Sequence, residues 1–129
     1  MSIFSKKAVG NIGENTAVKF LKKNKYKIIE TNYKVKVGEI DIICENKEYI
    51  VFVEVKTRKS DSMISGVYSV DKRKQNHILK TASAYLSANE TDKQPRFDII
   101  EVEYLSDGTA RVKEHLENAF IQGGSYGVF

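Results

Sequence analysis

The 129-residue chain contains one cysteine, one proline and no tryptophan. A single thiol, Cys44, forms no internal disulfide and no cysteine cluster for zinc, which points to a reducing, cytoplasmic setting. His77 and His115 stand far apart in sequence, which argues against zinc and histidine–metal nuclease chemistry. The longest uninterrupted apolar run is Tyr49–Val53, far short of the roughly 20 residues a membrane helix needs, so no membrane partner is expected. The first ten residues, MSIFSKKAVG, lack the apolar stretch of an export signal. No P-loop, GxSxG or dinucleotide fingerprint occurs, which leaves nucleotide hydrolysis and acyl transfer without support.

What is present is ordinary globular composition: 41 % hydrophobic and 29 % charged residues, enough apolar side chains for a core and too many for disorder. The length suits one domain, 1–129, with a core over about 6–113 and a tail over 114–129. Its end, Gln122–Phe129, holds three glycines and is expected to be poorly anchored. The net charge of +4 permits a polyanionic partner without demanding one.

Periodicity predicts a helix from Lys6 to about Asn24, with Gly10 and Gly13 signalling close packing or an irregular start. A strand over Tyr26–Tyr33 and a basic connection, Lys34–Lys36, come next. Strands Glu39–Cys44 and Tyr49–Thr57 are then joined by a short polar hairpin link. Arg58–Val70 reads as a loop. Asp71 is a plausible cap for a second helix reaching about Asn89, whose buried stripe would be Gln75, Ile78, Leu79, Ala82, Tyr85 and Leu86. Pro95 separates that helix from a strand at Arg96–Leu105, and a short strand follows at Thr109–Lys113. This order predicts an α/β fold: a central mixed β-sheet flanked by helices on both faces, with Ile50–Val53 as its buried middle.

Three charges break this pattern. Glu54 and Lys56 follow a run that is apolar on both faces, and they share one side of the strand. Asp41 sits among Ile40, Ile42 and Ile43. Two readings stand side by side here. The charges are either the wet face of an amphipathic hairpin or a site. If the hairpin closes over residues 45–48, Asp41 and Glu54 become neighbours, and two adjacent carboxylates stay ionised readily only around a cation. Oxygen ligands suit Mg²⁺ or Mn²⁺, and Lys56 beside them would orient water or stabilise charge building on a phosphate. That constellation fits phosphodiester hydrolysis.

Glu54-Val55-Lys56 follows Asp41 thirteen positions on, and the set resembles the PD-(D/E)xK nuclease motif. Ile40 occupies the position of the proline that often precedes its first acid. A wider resemblance covers Gly10, Gly13-Glu14, Ala17, Asn32, Gly38-Glu39-Ile40-Asp41, Phe52 to Arg58, Lys74, Ala82, Tyr85-Leu86 and Arg96-Phe97-Asp98. Over about residues 10–100 the chain is similar to the YraN family, small bacterial proteins related in fold to archaeal Holliday-junction resolvases. Lys25 departs from that family, which has glycine before the tyrosine here.

The resemblance implies a restriction-endonuclease-like core and a metal-dependent nuclease acting on DNA, branched or damaged. In that reading Asp41, Glu54 and the Val55 carbonyl bind metal, Lys56 orients the attacking water and Glu14 supports the site. Without the family, Glu14 reads as an ordinary boundary glutamate of the first helix rather than a site residue. Glu39 either assists or faces solvent. Arg58, Lys72 and Lys74 would hold nucleic-acid phosphates. Junction cleavage would need two centres and so a homodimer. The alternative is a non-catalytic nucleic-acid-binding or scaffold protein on the same fold. Arg96 and Asp98 read as a structural pair, and Cys44 as a packed thiol.

Overall fold

A computed structural model of the chain describes residues 6–60 and 70–120. Its elements run α1 (Lys6–Lys23), β1 (Lys27–Val35), β2 (Gly38–Glu45), β3 (Tyr49–Lys59), α2 (Lys72–Ala88), β4 (Gln94–Tyr104) and β5 (Ala110–Leu116). The strands form one sheet in the order β1-β2-β3-β4-β5. Only the β3–β4 pair is parallel; the other three pairings are antiparallel. This is the expected α/β arrangement with a mixed sheet, and its pattern is compatible with an endonuclease-like core.

Alternation along β3 splits the core in two. Val51 and Val53 pack with Ala17 and Leu21 of α1, together with Ile42, Ile100 and Val102. Ile50 and Phe52 pack with Ile78, Ala82 and Tyr85 of α2, together with Phe97 and Ile99. Each large side chain so buried is worth roughly 1.5–3 kcal/mol, which is what holds one helix on each face. No helix among the described residues is long and apolar enough to cross a membrane.

The helix ends follow from local chemistry. Asp71 caps α2, its carboxylate accepting from the Lys74 N–H at 2.9 Å. α1 stops in a Schellman turn: Tyr26 N–H donates to Leu21 O at 2.9 Å and Lys25 N–H to Lys22 O at 3.0 Å. That turn places Lys25 at φ 70°, a left-handed conformation that favours glycine.

Several boundaries differ from the sequence reading. Lys34 and Val35 belong to β1, and Arg58 and Lys59 to β3, because ladder partners on β2 and β4 extend both strands. Pro95 lies inside β4 instead of before it, a tolerated place because it is next to the strand's start. β5 continues to Leu116 through its pairing with Ile99. Beyond it the Ala119 N–H donates to Phe97 O at 2.6 Å, so the chain stays fastened past Lys113. Thr81 joins the buried face of α2, whereas Gln75, Leu79 and Leu86 are only partly buried. The rest of the expected loop, residues 61–69, and the expected loose end, Gln122–Phe129, lie outside the described residues.

Candidate active site

The β2–β3 ladder has its last rung at Ile42 and Val53. Asp41 and Glu54 come next, and there the strands part. In place of a further rung, the Val55 N–H donates to Asp41 Oδ2 at 2.8 Å. The N–H and C=O of one extended residue point to the same side, so the Val55 carbonyl faces the same gap. β2 also turns over here: Ile40 and Ile43 lie in the α2-side core, while Ile42 and Cys44 lie in the α1-side core. On the other side of β2, in β1, Asn32 adopts φ 52° between the rungs Thr31–Ile42 and Tyr33–Ile40, which sets it opposite Asp41.

Glu54 is 7 % exposed, and burial, reinforced by the charge of Asp41, pushes its carboxyl up to about 7. Lys74 Nζ at 3.5 Å and Lys56 Nζ at 3.9 Å from Oε2 work against that rise. Asp41 is raised as well, chiefly by burial, with the Val55 N–H and Lys74 opposing. A buried acid, Glu54, and a partly buried one, Asp41, thus lie side by side. The donor set is two carboxylates and a carbonyl. Such a set suits a hard cation that keeps several positions for water and substrate oxygens. Among the described residues no three His, Cys, Asp or Glu side chains gather closely enough to form a cage on their own.

Glu14 enters from α1. Its Oε1 accepts from Asn32 Nδ2 at 2.8 Å; burial raises its carboxyl, and the Asn32 amide tempers the effect. Glu14, Asn32, Asp41 and Val55 line a cavity of about 270 Å³, with Lys7 and Asn11 at its side. Gly13 makes this approach possible. A Cβ there would stand 1.9 Å from Thr57 Oγ1, so only glycine lets α1 settle on the end of β3.

Comparison with known proteins gives the chain relatives along most of its length. The model of the uncharacterised protein family UPF0102 matches residues 13–102. A UPF0102 protein of Caldanaerobacter subterraneus subsp. tengcongensis is 47 % identical over 123 residues, 93 % of this chain and 100 % of the relative. The chain belongs to the UPF0102 family. Similar UPF0102 proteins occur in Acetivibrio thermocellus, 46 % identical over 90 % of this chain and 93 % of the relative, and in Trichlorobacter lovleyi, 43 % identical over 88 % and 90 %. The UPF0102 match spans Glu14, Asn32, Asp41, Glu54, Lys56 and Lys74.

In this UPF0102 chain the other expected residues separate. Arg58 lies on β3 in register with Glu103 of β4, and Lys56 in register with Glu101. Lys72 is exposed on the first turn of α2. Lys74, read from sequence as a phosphate contact, reaches into the site to Glu54. Glu39 is exposed and pairs with Lys34 at 3.9 Å, the solvent-facing one of its two readings. Cys44 is fully buried and its thiol is pushed up to about 12 by burial.

Arg96 and Asp98 do form a structural pair, with Arg96 Nε to Oδ1 at 2.9 Å and Nη2 to Oδ2 at 2.8 Å. His115 joins this pair, its Nε2 lying 2.7 Å from Asp98 Oδ2. Burial would raise Asp98, but His115, Arg96 and the Asn118 N–H outweigh it and hold the carboxyl low. Asn32, Glu101 and Glu103 carried no role in the sequence reading. A readable signal existed for the two acids, which alternate with Ile100, Val102 and Tyr104 in the second half of the strand. Asn32 stood among the residues of the family resemblance, but its left-handed backbone and its bond to Glu14 are invisible to periodicity.

Proposed function

We propose that this protein is a divalent-metal-dependent nuclease that hydrolyses phosphodiester bonds in DNA, with branched or damaged DNA as its substrate class. The observation that carries the reading is the meeting of the buried carboxylate of Glu54 with the partly buried one of Asp41, at the point where β2 and β3 part, with two amines beside them. Asp41, Glu54 and the Val55 carbonyl would hold Mg²⁺ or Mn²⁺. Such an ion, when bound, supplies Lewis-acid polarisation of a phosphoryl oxygen and acidifies water. Lys56 orients the attacking water and stabilises negative charge growing on the phosphate. Glu14, held by Asn32, supports the acid side of the site. Arg58, Lys72 and Lys74 bind flanking phosphates, which position the strand without reading its sequence.

The test is a cleavage panel of duplex, single-stranded, junction and nicked DNA, with an RNA strand alongside, in Mg²⁺ or Mn²⁺. Cleavage should vanish in Asp41→Asn, which keeps an acceptor for the Val55 N–H, and in Glu54→Ala. No cleavage of any substrate by the wild-type chain would defeat the enzymatic reading. A second reading has an observation of its own: Lys56 and Lys74 already compensate Glu54 within the chain, as a non-catalytic nucleic-acid-binding scaffold would need. Calorimetric titration with Mn²⁺ separates the two, because a scaffold shows no uptake that depends on Asp41 and Glu54.

A further inference from the structure

Lys74 stands in an unfavourable place for a lysine. It lies in the first turn of α2 beside Lys72 and Arg73, with no acid in that turn, where the helix dipole already presents positive charge. Its ammonium is drawn to Glu54 Oε2 at 3.5 Å, nearer than the 3.9 Å of Lys56 to the same oxygen. The exposures differ sharply: 8 % for the Glu54 side chain and 41 % for Lys74. Lys74 therefore covers the acid from the solvent side, on a flexible stem whose helix is anchored separately by Asp71.

The charges close on themselves. Asp41 and Glu54 against Lys56 and Lys74 make a formally neutral cluster. A divalent cation taken up by the same carboxylates would leave that cluster at formal +2, with the Lys74 ammonium and the dication on one carboxylate. The arrangement relaxes only if the mobile ammonium leaves. We propose that Lys74 and the divalent cation compete for Glu54, and that metal uptake releases Lys74 to bind a substrate phosphate. The inference rests on the nuclease reading above and adds to it an order of events: the site becomes an anion receptor only once loaded.

Competition carries a sign that a plain phosphate contact or a structural ion pair lacks. Removing the lysine should strengthen metal binding. Calorimetric titration of Mn²⁺ into the whole chain should show Lys74→Met binding about three- to tenfold more tightly than wild type, the scale of a partly exposed pair. Lys74→Arg, which keeps the charge, should match wild type. Lys80→Met, which removes an exposed charge further along α2, should stay within about twofold, because a screened surface charge contributes little.

Unchanged or weaker Mn²⁺ binding in Lys74→Met, while wild type binds, would overturn the exchange and leave the nuclease reading intact. Equal tightening in Lys80→Met or Lys74→Arg would also overturn it, since a general field or a packing change would then be the cause. Failure of both wild type and Lys74→Met to take up Mn²⁺ would remove the metal site itself, and the nuclease reading with it.

Discussion

At pH 8 the fold holds Glu54 as a buried anion next to a second one, and this should be measurable as lost stability. The carboxyl titrates at about 7 in the folded chain against an ordinary value of 4.5. Below pH 4.5 folded and unfolded chains both keep the proton, and the group contributes no difference. Between about 4.5 and 7 the unfolded chain loses it while the folded chain retains it, so stability falls as pH rises. At about 1.4 kcal/mol per pH unit, the whole interval amounts to about 3 kcal/mol. Glu54→Gln keeps the shape and removes the charge, and it also relieves Asp41. Lys56 and Lys74 lose a partner, but both are exposed enough to rehydrate. The variant should therefore be more stable than wild type by about 2–3 kcal/mol at pH 8, a shift of about 1 M or more in the urea midpoint. The two should converge near pH 4. Urea titrations in chelator-treated buffer at pH 4, 6 and 8 provide the assay. A Glu54→Gln chain no more stable than wild type at pH 8, or a wild-type stability flat from pH 4.5 to 8, would refute the reasoning.

Gly13→Ala should lower stability by about 1–3 kcal/mol despite alanine's better helix propensity, because Thr57 Oγ1 and Cβ leave its Cβ no room; adding Thr57→Gly should recover most of the loss in urea melts. Lys25→Gly should raise stability by about 1 kcal/mol, seen in the same melts, by removing a side chain from a left-handed turn. Asp98→Ala should cost about 3–5 kcal/mol, since it strands the buried Arg96 guanidinium without its main partner; a thermal midpoint within a few degrees of wild type would contradict this.

The layered fold was legible because periods of two and 3.6 residues are properties of sequence. Ile50–Val53 announced a strand buried on both faces, and Asp71 announced a helix start. The nearness of the two acids was legible for a related reason, since a hairpin closed over residues 45–48 sets Asp41 beside Glu54 whether the charges form a wet face or a site. What could not be read depends on contacts between distant segments. Lys74 read as a phosphate contact at the start of α2, and only the packing of α2 over the sheet brings it to Glu54. His115 shows no partner in its own segment, yet β5 pairs with β4 and carries it to Asp98. Strand ends at Val35, Lys59 and Leu116 were missed because ladder partners, not local propensity, decide where a strand stops.

β1 forms one border of the sheet, and its path there is uneven: a register shift between Ile28 and Glu30, then the left-handed Asn32. A flat border offers its unpaired N–H and C=O groups as a template for another chain, whereas a kinked one carrying lysines such as Lys27 and Lys34 does not. The irregularity that turns Asn32 toward Glu14 therefore also guards the molecule against open-ended strand-upon-strand growth.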